Sequence, residues 1–165
     1  MSTPATDARP LTERELGAWR GLLRAHAMLV KRLDAELETA HGLALTSYEV
    51  LLYLSHADGR RMRMCDVADS VLLSRSGLTR MIDRLERDGL VERVSCPDDA
   101  RGSYAQLTDH GLSRLREAQA THLDGVREHF LGHFSAEELD TLAGAWERIG
   151  ANLPGAGANP ACSTP

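Results

Sequence analysis

The sequence predicts a mainly α-helical chain carrying one small β-hairpin. Three observations predict it. Apolar residues recur at helical spacing in six segments, each set off by capping or breaking residues. One alternating run, Leu90 to Ser95, is followed by turn formers and a second short run, Ser103 to Leu107, which together read as a hairpin. The chain has 165 residues, 42% hydrophobic and 26% charged, enough for one domain with a real core and an appendage.

The elements follow in order. Residues 12–40 read as a long helix. Thr12 and Glu15 fit a capping box, Trp19, Leu22, Leu23, His26, Val30, Leu33 and Leu37 make one apolar stripe, and Gly42 can close it. Thr46 and Glu49 suggest a second capping box, opening a helix through Val50, Leu51, Leu52 and Leu54 that Asp58-Gly59 stops. A short helix over 64–71 turns Val67, Ala68 and Val71 inward. After Leu72-Leu73, Ser74 is a good N-cap for a further helix, in which Leu78, Ile82 and Leu85 form the inward stripe and which Gly89 ends. The hairpin follows, with Pro97 to Gly102 at its tip. Thr108-Asp109 then caps a long helix bearing Leu112, Leu115, Leu123, Val126 and Phe130. Ser135 and Glu138 form a third box before Leu139, Leu142, Trp146 and Ile149.

A short helix, a tight connection, a second helix and a charged hairpin are the parts of a winged helix-turn-helix. The second helix needs an apolar stripe to anchor it and a polar, arginine-bearing face to enter a major groove. Ser74, Ser76 and Thr79 are short enough for close approach. Arg75 and Arg80 can reach guanine edges or phosphates. At the hairpin tip Arg101 could enter a minor groove, whose negative potential attracts arginine; Asp99 could hold it there through an ion pair. Arg84 and Arg87, close to Asp83 and Asp88, read as surface ion pairs. Any one exposed arginine is ordinarily just solvated; the ordered arrangement carries the reading.

Net charge first argues against this. The chain is −5 overall, whereas nucleic-acid binders are usually positive. The charge is uneven, however. Residues 60–101 hold nine arginines and eight acids, or +1, and the rest of the chain carries −6. Eighteen of the nineteen basic residues are arginine, which suits bidentate contacts but also follows from genomic base composition. The three cysteines, Cys65, Cys96 and Cys162, are widely spaced, so no disulfide framework or zinc ribbon is expected. The N-terminal residues lack the pattern of a secretory signal and no apolar run approaches a membrane span, so a reduced, cytoplasmic protein is expected.

Residues 72–111 carry a specific resemblance. They run Ser74 to Ser76, Thr79-Arg80, Arg84-Leu85-Glu86, Gly89-Leu90-Val91, Arg93, Asp99 and Arg101, then Leu107-Thr108 and Gly111. In this order they resemble the MarR family of bacterial transcription regulators, and the likeness extends over about residues 12–150. Cys96 departs from the pattern, since many members have aspartate there. The resemblance implies an obligate homodimer in which the first and last two helices intertwine, bound to double-stranded DNA. It places Arg75, Ser76, Thr79 and Arg80 on the recognition helix and makes Arg101 a wing arginine braced by Asp99. The sequence by itself agrees, because its first and last helices are too apolar to stay exposed. The expected organisation is a flexible tail over 1–11, a helical dimerisation region over 12–41 and 109–152, a winged helix-turn-helix over 42–108 and a disordered tail over 153–165.

The resemblance also implies control, most often release from DNA by a small aromatic or phenolic ligand. Candidate lining residues are Trp19, His26, Tyr48, Tyr53 and His56. A redox switch would use Cys65, at a helix start, or Cys96, near Arg93. His129 and His133, at i and i+4, could share a metal ion, but with His122 they read better as a solvated or dimer-facing stripe; no metal or other cofactor is expected. No nucleophile elbow, phosphate loop or paired carboxylate points to an enzyme. The competing class is a winged module that docks on protein without touching DNA.

Overall fold

Thr12 begins the first helix, α1 (Glu13–His41), as a reciprocal capping box. The Glu15 amide donates to Thr12 Oγ1 at 3.3 Å and the Thr12 amide donates to the Glu15 carboxylate at 2.7 Å. Those bonds hold the Glu15 carboxyl below its usual range, the Thr12 backbone contributing most. Gly42, at φ 60°, closes the helix in the left-handed region. The computed structural model describes the backbone of residues 9–96 and 99–153, and their side chains except for 96–102. Most of the tails expected at 1–11 and 153–165 lies outside the described residues.

The second helix, α2 (Leu45–His56), corrects one expectation. Thr46 and Glu49 do not form a capping box: the N-cap is Ala44, whose side chain can accept nothing. Asp34 of α1 instead takes the Leu45 amide at 2.8 Å, so the cap comes from another helix. A 3-10 turn with Gly59 at φ 61° then leads to a strand the pattern did not reveal, β1 (Arg61–Arg63). Next come α3 (Met64–Ser70) and α4 (Arg75–Arg87), joined through Leu72, which is 82% exposed and at φ 53°. The hairpin is β2 (Val91–Cys96) and β3 (Asp99–Leu107). The chain ends in α5 (Asp109–His129) and α6 (Ala136–Asn152), with the Ser135–Glu138 capping box in place.

The sheet is antiparallel and ordered β1-β3-β2. Arg61 faces Gln106 and Arg63 faces Tyr104 on one side of β3; Val91 faces Leu107 and Ser95 faces Ser103 on the other. Thr108 ties the hairpin base to α5: its hydroxyl donates to the Gly89 carbonyl at 2.7 Å and accepts the Gly111 amide at 2.9 Å. Gly111 has to be glycine here, because a Cβ would lie 2.1 Å from the Leu90 carbonyl oxygen.

The core is made by α2, α3, α4 and the sheet, with Leu37 of α1 and Leu115 and Ala118 of α5 closing it from above. Val67, Leu78, Ile82 and Leu85 are buried in it as their spacing predicts. The α1 stripe behaves differently: Leu37 is buried, but Trp19, Leu23 and Val30 are exposed. No residue of α6 is buried, and α6 makes only isolated contacts with the other elements.

Candidate nucleic-acid interface

α4 is fixed from its buried side. Leu78, Ile82 and Leu85 are essentially fully buried along one side. Ser74 caps the start, its Oγ accepting the Gly77 amide at 3.1 Å. With the buried side fixed, Arg75, Ser76, Thr79 and Arg80 are all exposed, as the sequence predicts. The Thr79 hydroxyl donates to the Arg75 carbonyl at 2.9 Å, and Arg80 Nε donates to the Ser76 carbonyl at 3.4 Å. The surface is therefore short, polar and cationic over two turns.

The C-terminal half of α4 is arranged differently from expectation. Arg84 and Arg87 do not pair with Asp83 and Asp88. Arg84 Nη2 donates to the buried Ser47 hydroxyl at 2.9 Å, joining α4 to α2, and Arg87 Nε donates to the Asp83 backbone carbonyl at 3.3 Å. Asp83 pairs with Arg93 of β2 instead, at 2.5 Å, and the same guanidinium reaches Glu86 at 2.5 Å. The Arg93 amide also donates to Glu86, at 3.1 Å. Ten residues of separation and a chain reversal hid this contact from sequence reading; the only signal was that Arg93 belongs to the quoted motif. The backbone at Asp99 and Arg101 lies in β3, but their side chains, and that of Cys96, lie outside the described residues.

The five residues expected to line an effector pocket differ in exposure. Tyr48 is buried, whereas Trp19, His26, Tyr53 and His56 are exposed, and none lines the described cavities. Tyr48 packs on His122 instead, ring centroids 4.5 Å apart. His122 Nδ1 is buried without a hydrogen-bond partner, and burial pushes this imidazole below its ordinary value and the Tyr48 phenol above its own.

The histidine stripe is likewise divided. α5 ends at His129, so His133 falls in the following 3-10 turn and the helical i, i+4 relation is lost. His122 faces its own chain, and His129 Nε2 meets the Glu36 carboxylate at 2.7 Å. That bond is the main reason the Glu36 carboxyl sits below its usual range. Among the described residues no group of three or more His, Cys, Asp or Glu is placed to hold a metal ion. Cys65, in the first turn of α3, is disulfide-bonded, against the expectation of fully reduced cysteines.

Comparison with known proteins decides the family. The sequence profile of the MarR family matches residues 41–102. The crystal structure of AbsC, a MarR family transcriptional regulator from Streptomyces coelicolor, is 38% identical, covers 90% of this chain and 99% of its own, and superposes with a TM-score of 0.84. The chain belongs to the MarR family. A second regulator of the family from the same organism, Sco3205, solved in complex with DNA, is 32% identical over 91% of this chain and 94% of its own, with a TM-score of 0.86. The HTH-type transcriptional regulator MhqR of Bacillus subtilis is 28% identical over 142 residues, covering 86% of this chain and 95% of MhqR. Among the described residues no helix is long and apolar enough to cross a membrane.

Proposed function

We propose that this MarR family chain is a sequence-specific DNA-binding repressor, acting as a homodimer on a pseudo-palindromic operator and released by a small aromatic or phenolic ligand. The observation that carries it is the exposed Arg75–Ser76–Thr79–Arg80 surface on a helix whose opposite side is locked into the core. Such a helix can enter a major groove without rearranging, and its arginines can read guanine or grip phosphate. The DNA complex of Sco3205 supports the same reading. Arg101, with Asp99, is the proposed wing contact.

Homodimerisation rests on unsatisfied apolar surface. Trp19, Leu23, Met28 and Val30 of α1 and Trp146 and Ile149 of α6 are exposed. Between α1 and the end of α5 runs a groove of about 930 Å3, floored by Met28, Leu29, Phe130 and Phe134 and rimmed by Arg32 and His133. An acidic amphipathic helix with the composition of α6 fits such a groove. Residues 42–108 then form the DNA-binding part, and 12–41 with 109–152 the dimerisation part. For release by a ligand the group on offer is His122 Nδ1, buried beside Tyr48 without a hydrogen-bond partner. A second reading, redox control, is favoured by the disulfide at Cys65.

Selection of bound duplexes from genomic DNA tests the proposal. It should return a pseudo-palindrome with half-sites about 10 bp apart, and affinity should fall steeply with salt. No enriched site and a flat salt response would favour a protein-docking module. Repeating the titration with phenolic ligands, and then with thiol oxidant and reductant on wild type and Cys65→Ser, separates the two modes of control.

A further inference from the structure

Residues 79, 83 and 86 lie on one ridge of α4, because positions three and four apart are neighbours on a helix. Asp83 is three residues from Arg80 and seven from Ser76, so it continues the surface assigned above to DNA. Left alone, Asp83 and Glu86 would place two carboxylates beside a phosphate backbone. That juxtaposition is repulsive and poorly screened at close range.

Arg93 stands against both. Its Nη2 is 2.5 Å from Asp83 Oδ1, its Nη1 is 2.5 Å from Glu86 Oε2, and its own amide donates to Glu86 Oε1 at 3.1 Å. The side chain is 30% exposed, against 50% for Asp83 and 40% for Glu86. Three bonds from one residue of β2 to two residues of α4 fix both the position and the direction of the wing strand. A guanidinium suits this because its planar fork serves two carboxylates at once. Two to three residues further along β2 the strand irregularity falls between Ser95 and Cys96, so Arg93 holds the last regular part of the strand before it.

We propose that Arg93 is a positioning residue for operator recognition, which sets the angle between wing and recognition helix and cancels the two α4 carboxylates that would otherwise face the duplex. This rests on the DNA-binding reading above. Arg93 touches no base in this scheme. It acts through α4, where it removes repulsion, and through the hairpin, which it aims.

The test uses the full-length protein and an operator recovered by selection. Arg93→Met should keep a melting temperature close to wild type and lower operator affinity about tenfold, the scale expected of a coupled network. Hydroxyl-radical footprints at saturating protein should lose wing protection in the flanking minor groove while recognition-helix protection persists. Adding Asp83→Asn to Arg93→Met should recover part of the affinity but not the wing footprint. The exchanged pair Glu86→Arg with Arg93→Glu should restore both in part. Wild-type affinity and footprint in Arg93→Met would overturn the proposal. So would a loss that tracks melting temperature across all variants, with both footprints fading together. A wild-type chain that binds no duplex would overturn the DNA-binding reading and this proposal with it, whereas a binding wild type with an indifferent Arg93→Met overturns this proposal alone.

Discussion

The winged part and the helical part of the chain solve burial in opposite ways. Of the buried hydrophobics among the described residues, all but Leu37, Leu115 and Ala118 fall within residues 43–107. Of the exposed large hydrophobics among the described residues, all but Tyr53 and Leu72 fall outside that range. The winged part has a closed core and presents polar and arginine groups. The helical part packs α1 on α5 yet, among the described residues, leaves much of its apolar surface exposed. Both contain amphipathic helices of similar pattern, so periodicity alone does not say whether a stripe meets its own chain or a second one. The contrast shows where each kind of damage should register: as stability in the first, as assembly in the second.

The largest expected effect is on the closed core. Ile82→Ala removes a fully buried side chain of α4 and should cost about 2–5 kcal/mol of folding stability, seen in chemical denaturation. Trp146→Ala, on α6, should weaken the proposed homodimer by about 2 kcal/mol, the scale of an interface anchor. Sedimentation over a concentration series reads that. A drop in unfolding midpoint at fixed dimer content would instead place Trp146 inside a monomer core and break the contrast.

Smaller effects sharpen the seam between the two parts. His122 lies on α5 against Tyr48 of α2, and burial lowers its pKa from the ordinary 6.5. As pH falls through that value the unfolded chain takes up a proton that the folded site resists, so stability should decline on mild acidification. His122→Gln should remove this part of the pH dependence; an unchanged profile would show that other groups carry it. Glu49 gives the smallest effect and the opposite sign. Burial raises its carboxyl above the ordinary 4.5, so the folded state holds the proton longer and stability falls as pH rises through that range. Glu49→Gln should give a modest gain near neutral pH in the same denaturation experiment.

Much of this was legible in the sequence because it is local. The Thr12–Glu15 and Ser135–Glu138 boxes, the Ser74 cap and the Leu78–Ile82–Leu85 stripe each need only a few neighbouring residues, and each stands as predicted. What escaped is non-local or too short to show a period. β1 has three residues and exists because β3 offers it an edge. The α2 cap comes from Asp34, eleven residues away on another helix. Arg84 looked like a partner for nearby acids but reaches Ser47, thirty-seven residues away. In the candidate site, the exposed face of α4 followed directly from its buried stripe. The Arg93 clamp and the Tyr48–His122 contact needed the fold.

Recognition of DNA through α4 is tested most directly by titrating the selected operator, and each of its single-base-pair variants, with wild type, Arg75→Ala and Arg80→Ala at one salt concentration. DNA reading by α4 predicts that at least one substitution costs about 1–3 kcal/mol and relaxes preference at one base pair of each half-site. Affinity and base preference unchanged in both variants would contradict it.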